Sequence, residues 1–194
     1  KESQDNELHL KIDHYVDSLS YFFDVTKNNL ATAAKDKTMS TFFANRNAGM
    51  SMQYGLKASL FKVKELLYHC VDEEQVGDLS SFKRISLFSL DGVLISDSDN
   101  AKQLSLPDSY LRLIKYQSQK YKIEQHEGAL SIKLLQTVYL HNEPIALLVA
   151  EINNQVLIKQ LSAQEYSGNG SRIKLQSDVG SMLIWDSLPQ APSE

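Results

Sequence analysis

The amino-terminal part of the chain carries a hydrophobic stripe with helical spacing. Its residues recur at steps of three and four, which places them on one face of an α-helix. The stripe consists of Leu8, Ile12, Tyr15, Leu19, Phe22, Thr26, Leu30 and Ala33. Because no glycine occurs before Gly49 and no proline before Pro107, the pattern predicts one long helix that continues to about Lys35.

Two further helices are predicted before the pattern changes. The segment Lys37 to Asn47 contains large apolar residues and is followed by Ala-Gly, which favours a helix terminus or a tight connection. A third stripe with helical spacing consists of Met52, Leu56, Leu60, Val63, Leu67 and Cys70 or Val71. Gly77 and the mostly polar run from Asp78 to Ser81 end the helical part.

After Phe82 the spacing of apolar residues changes to alternation, the pattern of β-strands. Ile85 to Leu90 alternate, the Asp91-Gly92 pair supplies the positive backbone angles of a tight turn, and Val93 to Ser96 returns as a second strand. The later predicted elements are a short helix from Pro107 to Ile114, strands over Tyr121–Gln125, Leu130–Leu140 and Ile145–Ile152, a helix over Asn154–Ser162, and a closing hairpin of Arg172–Gln176 and Ser181–Trp185.

These elements predict an α+β fold in which long N-terminal helices precede an antiparallel sheet flanked by short helices. We expect the strands from Phe82 through Trp185 to form one sheet. The chain has 194 residues, enough for one domain with an appendage. We divide it into a helical segment that packs on the sheet (1–78), the sheet domain (79–188) and a tail or linker (189–194).

Composition and charge narrow the function classes. The net charge is −4 and the basic residues are scattered, so the chain lacks the positive patch that a nucleic-acid backbone requires. The single cysteine, Cys70, excludes an internal disulfide and a cysteine-based zinc site. The longest wholly apolar run, Ile145 to Ala150, is far shorter than the roughly 20 residues of a membrane helix.

Three stretches resemble the Cache family of extracytoplasmic sensor domains. Phe82 to Ser96 is similar to the first hairpin of that family, and Val138 to Asn153 is similar to a later hairpin whose second strand ends in Ile-Asn and opens a helix. Phe42 to Leu60 resembles a segment in sensor regions of bacterial membrane-bound histidine kinases and diguanylate cyclases.

The resemblance implies a PAS-like sheet of the single Cache type that binds a small molecule on the periplasmic side of the membrane. It also implies a membrane-anchored parent protein with a kinase or cyclase output, no enzymatic activity in this piece, and no cofactor. Amino-acid-binding members of the double Cache group carry a series of Tyr, Arg, Trp and Asp residues around the ligand. That series has no counterpart in this chain, so the resemblance does not imply an amino-acid ligand.

Catalytic and metal-binding patterns are weak. His9 with Asp13, and His14 with Asp17, place a ring and a carboxylate on one helix face, but no third ligand shares their spacing and a solvated surface is the favoured interpretation. No Gly-x-Ser-x-Gly motif is present, so the sequence does not indicate a hydrolase of that type.

A sensor pocket needs apolar walls and a few polar groups that select the ligand. Six residues are candidates for these roles: Arg84, Tyr110, Arg112, Lys133, Tyr139 and Trp185. The alternative is that Arg84 and Lys133 face solvent while the aromatic residues pack in the core. If Arg84 or Arg112 faces the cavity, an anionic ligand such as a carboxylate suits the paired donors of a guanidinium.

We therefore expect a periplasmic sensor domain in which the ligand biases the arrangement of sheet and helices and the long helix passes that bias to the membrane. The stripe from Leu8 to Ala33 also suits a homodimer, although packing against the chain's own sheet requires the same residues. The alternative function is a helical protein-interaction module with an attached sheet and no small-molecule ligand.

Overall fold

The structure is a computed structural model that describes residues 2–73, 75–76, 78–99, 104–114, 117–126, 129–162, 174–176 and 183–186. Its α-helices are α1 (Glu2–Ala34), α2 (Lys37–Asn47), α3 (Leu56–Glu73), α4 (Asp108–Leu113) and α5 (Asn154–Ser162). A short 3-10 helix, Met52–Tyr54, precedes α3. No helix in these ranges is both long and apolar enough to cross a membrane.

Nine strands are described: β1 (Gln75–Val76), β2 (Leu79–Ser80), β3 (Phe82–Ser89), β4 (Leu94–Asp97), β5 (Gln119–His126), β6 (Ala129–Leu140), β7 (Glu143–Ile152), β8 (Lys174–Gln176) and β9 (Leu183–Asp186). Five of them form the main sheet in the order β4-β3-β7-β6-β5. All neighbouring strands in this sheet are antiparallel. The α+β fold predicted from the sequence is therefore confirmed.

The boundaries of the first helices have identifiable chemical causes. The side chain of Asp36 accepts a hydrogen bond of 2.7 Å from the backbone N–H of Thr38 and caps α2. Gly55 has a φ of 116°, a left-handed conformation that favours glycine. The helix predicted from Met52 is therefore interrupted at Gly55, with the 3-10 turn before it and α3 after it.

From Tyr15 onward, the long hydrophobic stripe packs against the chain's own sheet, whereas Ile12 near its beginning is exposed. Tyr15, Phe22, Leu30 and Ala33 are buried, and so is the Thr26 that continues the stripe. Tyr15, Phe22 and Leu30 belong to a cluster with residues of α2, α3 and α5 that covers one face of the sheet, which we call the helix face. Ile85, Leu134 and Leu148 are fully buried there.

Alternation along the strands gives the sheet a second apolar face. Phe88, Leu135, Leu147 and Val149 point away from the helix face and form a separate buried cluster with residues of α4 and the segment before it. We call this the open face, because α1, α2, α3 and α5 do not contribute to its core cluster. Since successive side chains point to opposite sides of a strand, the two faces are built from alternate residues.

Two tight turns organise the hairpins. Gly92 has a φ of 83° in the turn between β3 and β4, as the Asp-Gly pair predicts. His141 and Asn142 have φ values of 51° and 67° and form the turn between β6 and β7. That turn is shorter than the expected one of residues 141–144, because Glu143 and Pro144 already pair with β6.

The structure differs from the expected arrangement in two places. The closing strands β8 and β9 pair with each other in a separate two-stranded sheet and do not extend the main sheet. The strands β1 and β2 form another small sheet that the sequence pattern did not predict. The tail at 189–194 lies outside the described residues, and the division into domains at residue 78 stays a prediction.

Candidate functional site

A small cavity lies on the open face of the sheet, under α4 and the segment that leads into it. It has a volume of about 110 Å³. Its walls come from strands β3, β6 and β7, from residues 104–107 and from Tyr110, with Phe88, Leu106 and Val149 supplying apolar surface. A cavity well below the roughly 300 Å³ lower bound of drug-sized sites suits a ligand of few heavy atoms.

Charged residues form a row across one end of this cavity. The strand register places Arg84 on β3 opposite Glu151 on β7, and Glu151 opposite Lys133 on β6. Lys133 is in turn opposite Lys122 on β5. Because directly paired residues of antiparallel strands share a face, the row continues across four neighbouring strands.

Arg84 is held by a buried carboxylate. Its Nε lies 3.1 Å from Asp97 Oδ2 and its Nη2 lies 3.8 Å from Asp99 Oδ2. The Asp97 side chain is only 2% exposed and also accepts hydrogen bonds from the Ser86 hydroxyl at 2.5 Å and from the Asp99 backbone N–H at 2.7 Å. These contacts fix the orientation of the guanidinium at the cavity wall.

Lys133 belongs to a second polar cluster, with Tyr110 and Glu124. The Tyr110 hydroxyl donates a hydrogen bond of 2.5 Å to Glu124 Oε2, and Lys133 Nζ donates one of 3.1 Å to the Tyr110 oxygen. Lys133 Nζ also lies 3.6 Å from Glu124 Oε2. Burial, followed by the hydrogen bond to Glu124, raises the pKa of Tyr110, so its phenol stays protonated and acts as a donor.

The cavity carries both signs of charge. The cations Arg84 and Lys133 face the carboxylates of Asp97, Glu124 and Glu151. Glu151 Oε1 is 3.3 Å from Nζ of Lys83, an exposed residue. A ligand that binds here therefore replaces existing ion pairs as well as water.

The six predicted residues separate into three groups. Arg84, Tyr110 and Lys133 line the same cavity. Arg112 is exposed on α4 and Tyr139 is 45% exposed near the end of β6, and neither lines this cavity. The backbone of Trp185 lies in β9, but its side chain is outside the described residues, and the binding role of all six stays a prediction.

Four polar residues of the site were missed in the sequence: Ser86, Asp97, Glu124 and Glu151. Ser86 was within reach, because it lies two positions after Arg84 and alternation puts both on one face. The others depend on strand register or on the position of α4. Within the described residues, no group of three or more His, Cys, Asp or Glu side chains is arranged to hold a metal ion.

A larger groove of about 290 Å³ lies between α2 and α3. Lys37, Thr41 and Lys62 are among its lining residues, and all three are exposed. Exposed lysines keep their hydration at little cost, and no buried polar group lines this groove. We therefore place the candidate site on the open face.

The fold is that of the sensor domains of bacterial histidine kinases and chemoreceptors. The chain resembles the sensor domain of the V. cholerae histidine kinase DctB, with a TM-score of 0.62 and 15% identity over 95% of this chain and 67% of that one. It also resembles the ligand-binding domain of the Pseudomonas fluorescens chemoreceptor CtaA in complex with L-valine, with a TM-score of 0.60 and 15% identity over 91% and 72% of the two chains.

A third similar structure is the ligand-binding domain of the Pseudomonas aeruginosa PAO1 amino acid chemoreceptor PctB in complex with L-Arg. Its TM-score is 0.56 and its identity 11%, over 92% of this chain and 64% of that one. The chain thus spans about two thirds of the length of these domains. No family model matches the chain, and no curated protein matches its sequence.

The long amino-terminal helix and the antiparallel sheet with flanking helices are features that the chain shares with this class of sensor domain. The similarity extends over most of the chain. The expectation that the chain has the fold of extracytoplasmic sensor domains is therefore confirmed.

Proposed function

We propose that this chain is the extracytoplasmic sensor domain of a membrane-anchored signalling protein, and that it binds a small molecule in the cavity on the open face of the sheet. The observation that carries the proposal is the convergence of Arg84, Tyr110 and Lys133 on one cavity in a fold shared with sensor domains. Two of the similar structures, CtaA and PctB, are described as complexes with amino acids.

The charge distribution favours a zwitterion over a simple anion. Arg84 and Lys133 each offer donors to a carboxylate. Each is already paired with a carboxylate of the protein, and Glu151 lies between them in the strand register. An anion alone meets repulsion from these groups, whereas a ligand that also carries an ammonium pairs with them. We therefore propose a small amino acid or a similar zwitterion as the ligand.

Signalling in this proposal is mechanical. A ligand that binds one arrangement of sheet and helices more tightly than another shifts the population toward that arrangement. The helix α1 packs along the helix face with the stripe that begins at Tyr15, so a change in the sheet reaches α1 directly. A histidine kinase or diguanylate cyclase output in the parent protein, a periplasmic location and a homodimer are further parts of the proposal.

A matched series of compounds tests the ligand chemistry. L-Alanine, ethylamine and propionate have similar carbon skeletons but carry both charges, only the ammonium, or only the carboxylate. Thermal unfolding of the purified chain is followed with each compound and with the other standard L-amino acids. At about 100 times its Kd a ligand adds about 2.7 kcal/mol, which corresponds to a rise in Tm of about 5–10 °C.

Variants then locate the site. Lys133→Met and Arg84→Met should each reduce the shift, while Lys57→Met, which removes an exposed charge on α3, should leave it unchanged. A shift produced by propionate but not by L-alanine contradicts the zwitterion. If no small molecule raises the Tm of the wild-type chain and a protein partner binds it instead, the chain is an interaction module.

A further inference from the structure

The edge strand β5 contacts α1 on one face and, on the other, two residues that line the cavity, Tyr110 and Lys133. Among the described strands it pairs only with β6, so it has fewer described backbone restraints than the central strands. Tyr121 on β5 packs into the core of the helix face. Glu124, three residues later, points to the open face and reaches Tyr110.

On the helix face, β5 holds one turn of α1 with several contacts. The hydroxyls of Tyr121 and Thr26 lie 2.7 Å apart, and they lie 3.0 and 2.9 Å from the carbonyl oxygen of Phe23. The rings of Tyr121 and Phe23 pack edge to face with centroids 5.0 Å apart. Gln119 donates a hydrogen bond of 2.8 Å to the carbonyl oxygen of Lys27.

The Tyr121 contact is built to persist across physiological pH. Desolvation by burial raises the pKa of the Tyr121 phenol to about 12, so the group remains neutral and keeps its proton for hydrogen bonding. Thr26 is 1% exposed, which leaves little room for water to replace the contact. A polar contact that excludes water in this way is costly to break.

On the open face, the β5 side chain Glu124 contacts Tyr110 and Lys133. Its carboxylate accepts the hydrogen bond from Tyr110 and pairs with Lys133, and both of those residues line the cavity. A ligand carboxylate that takes Lys133 or Tyr110 as a partner therefore removes a contact of Glu124. The loss acts on a strand at the edge of the sheet, with one neighbour among the strands that the structure describes.

We propose that β5 couples the cavity to α1, with Glu124 as the residue that senses occupancy and Tyr121 as the positioning residue that passes the change to the turn of α1 around Phe23 and Thr26. This inference deepens the proposed function and rests on it. When Glu124 loses its partners, β5 shifts relative to the sheet, and the turn of α1 that it holds shifts or loosens with it.

Hydrogen exchange in the ligand-free chain tests the coupling. Glu124→Gln keeps the shape of the side chain but removes its charge, and Tyr121→Phe removes only a hydroxyl. Each variant should speed amide exchange in residues 23–30 of α1 about fivefold. Losing one hydrogen bond of ordinary net strength changes the local opening equilibrium by about that factor. In the double variant, exchange should be no faster than in Tyr121→Phe alone, because Tyr121→Phe has already removed the contact through which Glu124 affects α1.

Control variants separate coupling from general destabilisation. Tyr54→Phe removes a hydroxyl from an exposed tyrosine of the 3-10 helix, and Glu143→Gln removes an exposed carboxylate of β7; neither should change exchange in α1. Exchange in α2, which has no described hydrogen bond to β5, should stay the same in every variant. Lys133→Met, which removes the other partner of Glu124, should reproduce the effect of Glu124→Gln.

Additive effects in the double variant, unchanged α1 exchange in Glu124→Gln, or equal acceleration in α1 and α2 would each overturn the coupling. Because no ligand is used, the result is independent of the thermal-shift series. If amino acids raise the Tm but α1 exchange is unlinked to Glu124, the sensor proposal stands and the coupling is wrong. If the exchange effects are linked and no compound binds, β5 still links Glu124 to α1, but the proposed function is wrong and so is the sensing role of Glu124 that rests on it.

Discussion

Asp97 is the buried carboxylate on which the orientation of Arg84 depends, and its replacement has a predictable effect on stability. The side chain receives hydrogen bonds from the Arg84 guanidinium, the Ser86 hydroxyl and the Asp99 backbone N–H. Asp97→Ala removes the acceptor of all three donors. Asp97→Asn retains one amide oxygen and replaces the other by a donor that faces the existing donors.

The magnitude follows from the burial of the pair. Asp97 is 2% exposed but Arg84 is 26% exposed, so water can solvate the guanidinium once its partner is gone. Breaking a buried ion pair by removing one partner costs about 3–5 kcal/mol, and the access of water to Arg84 places this site at the lower end. We expect a loss of about 3 kcal/mol for Asp97→Ala and about 1–2 kcal/mol for Asp97→Asn.

Urea unfolding followed by circular dichroism measures both values. Asp99→Asn is the matched control, because Asp99 is 78% exposed and its pairing with Arg84 contributes at most about 1 kcal/mol. We also expect a weaker ligand-induced rise in Tm for Asp97→Asn than for Asp99→Asn. A typical surface substitution changes the free energy of unfolding by no more than about 0.5 kcal/mol. If Asp97→Ala changes it by no more than that, Asp97 does not hold Arg84 as described.

Three further predictions concern α1, a turn and pH. Leu30→Ala should lower the free energy of unfolding by about 2–5 kcal/mol, because Leu30 is fully buried. Leu10→Ala, on the exposed face of α1, should have little effect. The midpoints of urea unfolding compare the two variants. Gly92→Ala should cost about 1–2 kcal/mol, because Gly92 has a φ of 83°; equal urea midpoints would contradict this. The free energy of unfolding should fall as pH rises from about 10 to 12. In the unfolded chain Tyr121 ionises near its usual pKa of about 10, whereas folding raises that pKa to about 12. Alkaline titrations should show a smaller fall for Tyr121→Phe.

The long helices and the hairpins were predictable because each repeats its pattern over many residues. The stripe on α1 and the Asp-Gly turn before Val93 needed no tertiary information. Two-residue strands such as β1 have no measurable period, so they escaped prediction. Alternation also does not show which strands pair. The closing strands β8 and β9 have the expected pattern, but they form a separate sheet instead of joining the main one.

The site was predictable only where one strand determines it. Arg84 and Lys133 lie on long strands whose alternation is clear, whereas Tyr110 and Arg112 lie on a six-residue helix in which no period can be resolved. Two positions along a helix turn the side chain by about 200°, so Tyr110 is buried and Arg112 is exposed. The register between β6 and β7 shifts at Tyr139, which alternation alone does not predict.

The separation of the two faces of the sheet has an evolutionary consequence. The helix face supplies most of the buried core and fixes the scaffold, while the cavity on the open face draws its polar groups from the intervening positions of the same strands. A substitution at Ser86 or Glu151 changes the polar lining of the cavity, while the apolar residues that pack on the helix face stay the same. Such an architecture lets the polar lining of the cavity change by single codon changes while the buried core that fixes the scaffold is retained.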